Sequence, residues 1–259
     1  MSKSLVILLV QSEWFLVSKH ELISFRRCIS HTLGVLHKPR SSKQFSPELE
    51  QTFISEKNYN NIKKFTKYEI KHRNWHAANN DKKQTPRIYF NYLMLDSRIT
   101  NNLKKRALRM HQIDVWLTFL RSVFYVGKGK ALRPYVHLQH AQKLLQEPDQ
   151  LKLAKDPKLA LIVKIWQDKR GVLLLHGFRG ISSYDAHSRE AAMIDALGLN
   201  HLTNRRVGLY FGVNKNHFTI GQRRLLGIAL LHKLLTKFMA GKEHELLPQL
   251  STHGHIQAA

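Results

Sequence analysis

The pattern of hydrophobic and polar positions predicts an ordered region that begins at about residue 86. Residues 88–95 are rich in aromatic and branched side chains and predict a strand. A second strand is predicted over 123–126, and the continuous apolar run over 172–178 is typical of a buried third strand. The polar residues 100–113 predict a helical connection between the first two strands.

Apolar residues recur at helical spacing in four further segments, which predicts four more helices. In the first, Tyr135, Leu138 and Ala141 share a face behind Pro134, a residue suited to a first helical turn. The last helix places leucines inward and basic residues outward, and Gly198 ends the helix before it. The four predicted helices cover 134–146, 159–166, 184–197 and 221–240.

The first 85 residues give a weaker pattern. The segment 56–87 is basic and rich in asparagine, so that a short helix around Ile62 and a linker are both compatible with it. We expect a mobile arm that attracts phosphate groups. The chain is therefore divided into a basic N-terminal extension that is partly disordered or a linker (1–85), a core (86–210) and a C-terminal helix with a tail (211–259).

The charge narrows the range of partners. The 259 residues carry 42 Lys and Arg against 18 Asp and Glu, a formal net charge of +24, which favours polyanions such as nucleic acids and makes small cationic ligands poor candidates. Cys28 is the only cysteine, so no internal disulfide forms. The apolar run 5–10 is too short for a cleaved signal, and no run is long enough to span a membrane. We expect an intracellular protein of the nucleus, the cytoplasm or both, without membrane insertion.

Glu190 is the first candidate functional residue. Ala186, Met193, Ile194 and Leu197 share its helical face, so its carboxylate falls on an apolar stripe. A buried carboxylate needs a partner. From position alone, an ion pair with an arginine and a metal or catalytic role are equally compatible with this pattern.

A second candidate feature is the turn Gly127-Lys128-Gly129 with the basic helix that follows it. Arg133 and His137 lie four residues apart on one helical face, and glycines permit a ligand to approach the backbone. Such a turn is also common in ordinary loops. The remaining histidines show no convincing metal-ligand spacing and are expected to lie mostly on the surface.

These residues occur in the order found in the GIY-YIG nuclease domain, which the sequence resembles from about Tyr89 to Tyr210. The similarity is strongest to the branch at the C-terminus of animal proteins with ankyrin repeats and a LEM domain. Neither of those elements is recognisable here, so the resemblance predicts a fragment, a short isoform or an incomplete gene model. The strings that carry the resemblance are Phe124 to Gly129, Arg133 to Leu138, Arg189-Glu190-Ala191, Ala196-Leu197-Gly198 and Leu202-Thr203-Asn204.

The resemblance implies an α/β fold with a small, three-stranded, mainly antiparallel sheet flanked by helices. Two departures from the family pattern concern its name-giving motifs. The first reads Phe90-Asn91-Tyr92 instead of Gly-Ile-Tyr, and the second reads Tyr125-Val126-Gly127 instead of Tyr-Ile-Gly. Both keep the tyrosine, so the departures concern strand packing and remove no reactive group.

The family mechanism implies hydrolysis of a DNA phosphodiester with a single Mg²⁺ or Mn²⁺ ion bound by Glu190. Arg133 would bind the scissile phosphate, because a guanidinium donates two parallel hydrogen bonds and stays charged. Tyr92 is the expected base, provided that its pKa falls from about 10. Tyr125 would orient or assist, and the products would carry a 5′-phosphate and a 3′-hydroxyl.

The expected substrate is DNA, in particular branched or bridged DNA, which the protein would recognise by shape more than by sequence. The expected DNA contacts would track the backbone and lose affinity as salt increases. A catalytically inactive nucleic-acid-binding module is the main alternative, and a basic adaptor on a membrane or chromatin surface is another. The predicted DNA contacts are Lys128, Lys130, His137, Asn204, Arg223 and Arg224.

Overall fold

The computed structural model describes residues 5–10, 13–18, 45–80, 86–147 and 155–248. The chain forms two compact units, one over 1–42 and one over 43–259. In the first unit, β1 (Leu5–Val10) and β2 (Glu13–Ser18) form an antiparallel hairpin in which Leu5 pairs with Ser18. Cys28 and the last residues of the predicted C-terminal tail, 249–259, lie outside the described ranges.

The second unit is built on a four-stranded antiparallel sheet with the order β4-β3-β5-β6. The strands are β3 (Tyr89–Asp96), β4 (Val123–Gly129), β5 (Val172–Ile181) and β6 (Glu245–Leu246). The mixed α/β class and the three predicted strands are confirmed, and β6 adds a short fourth strand. The Glu245 carboxylate holds β6 in place, because it accepts hydrogen bonds from the Arg170 guanidinium and the Gly171 backbone N–H.

Helices cover both faces of this sheet. Strand side chains alternate between the faces, so Leu93 and Leu95 pack towards α9 (Ser183–Leu197) and α11 (Ile220–Ala240), while Tyr92 and Met94 pack towards the opposite face. The opposite face is covered by α7 (Arg133–Gln146) and α8 (Pro157–Gln167). All four of these helices were predicted, and β4 is left as an edge strand beside them.

The connection between β3 and β4 differs from its prediction. Instead of one helix over 100–113, it forms α4 (Ser97–Thr100), α5 (Leu103–Ala107) and α6 (Gln112–Ser122). Asn101 and Asn102 adopt positive φ angles of 42° and 55°, which ends the first helical turn. The buried face of α6 consists of Val115, Trp116, Phe119 and Leu120.

The N-terminal part of the second unit is helical, which corrects the expectation of a mobile arm beginning at residue 56. It forms α1 (Pro47–Gln51), α2 (Glu56–Asn60) and α3 (Ile62–Asn80), and α3 packs along α11. The sequence signal was weak because the buried face of α3 includes polar side chains. Glu69, His72 and His76 are all buried there.

One further short helix, α10 (Val213–Asn216), precedes α11 and contacts α3. None of the helices in the described ranges combines the length and the apolar composition that a membrane crossing requires.

Candidate active site

Two tyrosines and a histidine form a cluster on the face of the sheet that α7 and α8 cover. Tyr92 lies in the central strand β3 and is only 1% exposed. Its hydroxyl is 3.0 Å from Nε2 of His137 in α7. The ring of Tyr125, from the edge strand β4, lies 6.1 Å from the Tyr92 ring and 5.4 Å from the His137 ring, measured between centroids. The structure therefore brings these three predicted residues together.

Gly127 makes this arrangement possible. It pairs with Tyr92 across the two strands, and a Cβ atom at this position would lie 2.3 Å from Cζ of the tyrosine ring. The Tyr92 side chain thus lies directly over the glycine backbone. The glycine of the second motif is required by this close approach, not by an unusual backbone angle.

Glu190 reaches the site from α9. Its carboxylate is buried, with 8% of the residue exposed, and Oε2 accepts a hydrogen bond from Nζ of Lys128 over 2.7 Å. Burial raises the pKa of Glu190, and the Lys128 charge opposes that effect. The required partner of the buried carboxylate is therefore a lysine in the Gly-Lys-Gly turn, not an arginine.

Asn91, which stands where the first family motif has isoleucine, has a structural role. Its side-chain amide donates a hydrogen bond of 2.9 Å to the carbonyl oxygen of Ala186, one helical turn before Glu190. Asn91 is fully buried and pairs in register with Lys128. The asparagine thereby ties α9 to the central strand close to the Glu190 carboxylate.

These elements border a pocket of about 330 Å³ beside the edge strand β4. The segment that follows α9 closes one side of it, because the Asn204 amide accepts a hydrogen bond from the Val126 backbone N–H and donates one to the Val126 carbonyl. The pocket is lined by Tyr125, Lys128, Asp156, Lys158, His187, Glu190, Ile194 and the segment 203–209.

The predicted DNA-binding residues occupy different environments. Arg133 and Lys130 are exposed beside the site. The amide of Asn204 bonds to backbone on both sides, which favours a role in fixing the loop. Arg223 donates to the carbonyls of Asn214 and Lys215, and Arg224 pairs with Glu48 at 3.1 Å. Neither of these two arginines lines the pocket, and their contact with DNA stays a prediction.

The tyrosine pKa values differ from the expectation for a base. Burial raises the pKa of Tyr92 far above its usual value, and the opposing charge of Arg133 is a smaller effect. Burial also raises the pKa of Tyr125, although a hydrogen bond with Tyr92 and the Arg133 charge both lower it. Tyr125 lines the pocket and Tyr92 lies behind it. Tyr125 is therefore the tyrosine placed to meet a ligand.

Lys158 is a site residue that the sequence did not reveal. It is 7% exposed, and its Nζ lies 4.6 Å from the centroid of the Tyr125 ring and 3.7 Å from Oδ2 of Asp156. In the sequence it is an ordinary lysine in a first helical turn. Arg205 and Arg206, which line the pocket from a loop, were not identified from the sequence either. Their role depends on how α8 and this loop pack against β4.

His137 is predicted to make the folded protein sensitive to acid. Burial, followed by the charges of Lys158 and Arg133, lowers the pKa of His137 to about 4, against about 6.5 in an unfolded chain. Below pH 6.5 the unfolded state binds a proton that the folded state does not bind until about pH 4. Stability therefore falls as the pH falls through this window.

The test compares wild type with His137→Gln, which keeps a polar partner for Tyr92 but does not titrate. Between pH 7 and pH 5, the free energy of unfolding should fall by about 2 kcal/mol more in wild type than in the variant. Urea denaturation at the two pH values measures this difference. Identical pH dependence of the two proteins would contradict the assignment.

Comparison with known proteins identifies relatives of this region. The model of the LEM-3-like GIY-YIG domain matches residues 89–252. Ankyrin repeat and LEM domain-containing protein 1 of Mus musculus is 41% identical over 160 residues, which cover 62% of this chain and 29% of the relative. The protein of the same name from Homo sapiens is 40% identical over 164 residues, covering 62% and 26%.

A homolog of that protein from Caenorhabditis elegans is 35% identical over 129 residues, covering 49% of this chain and 17% of the relative. The matches thus span less than a third of each relative's length. No solved structure matches the chain.

Proposed function

We propose that this chain, which belongs to the family of LEM-3-like GIY-YIG domains, is an endonuclease that hydrolyses DNA phosphodiester bonds with the help of one divalent metal ion. The family is one of nucleases. We propose in addition that cleavage requires a metal ion and that the substrate is DNA. The observation that carries it is the pocket beside β4, where the buried Glu190 carboxylate and Tyr125 lie among basic side chains.

The charge of the pocket supports a phosphate-containing substrate. Lys128, Lys158, Arg205 and Arg206 line it, against two carboxylates. Arg133 is exposed at the start of α7, and its charge acts on both tyrosines. A phosphodiester entering the pocket would therefore meet several cations around one carboxylate.

Glu190 fits the role of a metal ligand. Its oxygen atoms are hard donors of the kind that Mg²⁺ and Mn²⁺ prefer, and the pocket leaves room for water and phosphate oxygens to complete the coordination. The Lys128 ammonium now provides the positive charge beside this carboxylate. When bound, the ion supplies charge stabilisation for the phosphate and lowers the pKa of coordinated water.

The chain's own residues have separate tasks in this proposal. Arg133 binds and orients the scissile phosphate through its guanidinium. Tyr125 orients the attacking water or, once its own phenolic proton has passed to solvent, accepts the water's proton as the phenolate; the Arg133 charge lowers the pKa of Tyr125 and favours that form. Tyr92 supports the Tyr125 oxygen by a hydrogen bond. His137 holds the Tyr92 hydroxyl. Lys128 exchanges its contact with Glu190 for a phosphate contact when DNA binds.

The rim of the pocket supports a preference for branched DNA. Val207 and Leu209 line the pocket and are 60% and 61% exposed, and Arg205 and Arg206 precede them. Apolar side chains next to basic ones suit a place where a base pair loses its stacking neighbour, because the apolar group contacts the base face and the cations contact phosphate. Such faces are available at a branch point but not inside a continuous duplex.

Arg133 provides a direct test of phosphate binding at this site. Arg133→Ala should lower the rate of DNA cleavage by about 100- to 1000-fold, because it removes a charged donor aimed at the developing charge. Arg133→Lys should recover little, since an ammonium lacks the paired donors. Arg109→Ala, at another exposed arginine, should leave the rate unchanged.

The same assay tests the reaction type. Nicks with a 5′-phosphate and a 3′-hydroxyl are resealed by DNA ligase without further treatment, so resealing is the expected result. If Arg133→Ala cleaves like wild type, the phosphate-binding role is wrong. If nicks form but cannot be resealed, the proposed bond cleavage is wrong.

A further inference from the structure

A cluster of potential metal ligands lies where α3 packs against the beginning of α9. One ligand atom from each of His72, His76 and Asp185 lies within 4.8 Å of the other two, and all three residues are buried. Within the ranges that the structure describes, this is the one such cluster found. It shares no residue with the Glu190 pocket.

The two histidines are four residues apart on α3. This spacing places both rings on one helical face, and their centroids are 4.5 Å apart. It corrects the expectation that the remaining histidines show no convincing metal spacing. The pair is not conspicuous in the sequence, because the third group, Asp185, is more than a hundred residues away.

His76 has an unmet hydrogen-bonding requirement. The residue is 6% exposed, and among the described residues its Nε2 atom has no hydrogen-bond partner. Leaving a buried ring nitrogen unpaired is unfavourable, because the group has lost its hydrogen bonds to water. A metal ion would use this lone pair directly.

The surroundings of His72 suit a metal ligand. Nε2 lies 2.7 Å from Oδ1 of Asp185, and Nδ1 lies 2.6 Å from the side-chain nitrogen of Asn214. The Asn214 oxygen has no partner among the described atoms. If the amide is rotated by half a turn, this oxygen accepts the Nδ1–H of His72, and Nε2 is then available to bind a metal. Metal-binding histidines typically have such a second partner.

The nearby charges allow a cation to enter. Arg189 donates to Oδ1 of Asp185 over 2.5 Å, but its Nη1 atom lies 3.8 Å from Oε1 of Glu69 and makes no hydrogen bond among the described residues. The guanidinium therefore has a second carboxylate to turn towards. Lys233 also pairs with Glu69, so the two carboxylates balance the two cations while both histidines stay neutral.

We propose that His72, His76 and Asp185 bind one zinc ion, with water as the fourth ligand, and that the ion joins α3 to α9. Tetrahedral zinc with bonds of about 2.0–2.2 Å requires ligand atoms roughly 3.3 Å apart. Side-chain rotation would widen the 2.7 Å distance between His72 and Asp185 slightly and adjust the separations from His76, which are at most 4.8 Å. Two imidazoles and a carboxylate favour zinc over Mg²⁺, which prefers oxygen ligands.

The full-length chain, purified without chelators, tests this inference by elemental analysis. Wild type should contain about one zinc per chain, and His76→Ala should contain almost none. His140→Ala, at an exposed histidine of α7, is the matched control and should keep the ion. Glu190→Gln should also keep it, which separates this site from the proposed catalytic ion.

A second measurement starts from the wild-type protein, so its main result does not depend on the folding of His76→Ala. Protein stripped of metal and titrated with Co²⁺ should develop the visible absorption of a tetrahedral site, and added Zn²⁺ should remove that absorption. In a folded His76→Ala variant the apparent zinc affinity should be at least about 100-fold lower.

Two results would overturn the proposal. One is a folded wild-type protein that contains no zinc and shows no tetrahedral Co²⁺ spectrum. The other is a His76→Ala variant that binds zinc as tightly as wild type. Both results are independent of DNA cleavage, because neither measurement involves DNA.

Discussion

Replacement of Glu190 by glutamine is expected to lower DNA cleavage by at least about 1000-fold, equivalent to about 4 kcal/mol of transition-state stabilisation. Glutamine keeps the size of the side chain but removes the negative charge on which metal binding depends. Because Glu190 is the proposed protein ligand, no other residue would replace it. The measurement is a single-turnover cleavage rate at saturating protein with Mg²⁺.

DNA binding should survive this substitution. The change removes a negative charge from a basic pocket and releases Lys128 from its 2.7 Å contact with the carboxylate, so affinity at a given salt concentration should be equal or higher. Asp195→Asn is a matched control, because Asp195 lies on the same helix but bonds to Tyr210. Full cleavage by Glu190→Gln would show that Glu190 is not the metal ligand.

Gly127→Ala should impair both folding stability and cleavage. The added Cβ would lie 2.3 Å from the Tyr92 ring, and this ring is held in the core by α7. Overpacking of this kind costs about 1–3 kcal/mol. The tyrosine, or β4 with Tyr125, would have to move, so the cleavage rate should fall by about 100-fold or more.

Thermal denaturation and single-turnover cleavage together measure these two effects. Gly221→Ala is the matched control, because its Cβ meets only the flexible end of Glu48, at 3.2 Å, near the start of α11. It should change stability by less than about 1 kcal/mol. A Gly127→Ala protein with unchanged melting temperature and rate would contradict the proposed packing of Tyr92 on the glycine.

The main elements of the core were predictable because their sequence signals are local. Strand β3 is marked by aromatic and branched residues, and α9 by a capping serine and a terminal glycine. The position of Glu190 on an apolar stripe predicted burial, which is confirmed. The same pattern could not identify its partner, because Lys128 lies on a different element and meets it only after β4 and α9 pack together.

The N-terminal helices were not predictable from periodicity. The buried face of α3 carries Glu69, His72 and His76 beside Ile62, so a pattern based on apolar residues finds little to recognise. Asp185 and Arg189 of α9 complete this polar interface. Buried polar networks are specified by partners distant in sequence, and a single sequence does not show those partners.

The roles of two residues near the site were missed for a related reason. Lys158 stands in the first turn of α8, where a lysine usually faces solvent, and here it is 7% exposed beside Tyr125. Asn91 stands where the family motif has isoleucine, and its buried amide holds α9. In both cases the role follows from the distance to another element.

The most direct test of the central claim is cleavage by the wild-type chain. Labelled four-way junction, flap and matched duplex DNA are incubated with the protein in Mg²⁺, in Mn²⁺ and in EDTA. We expect metal-dependent cutting that is faster on the branched substrates and absent in EDTA. Salt-sensitive binding without cutting in either metal would contradict the account and would identify the domain as an inactive nucleic-acid-binding module.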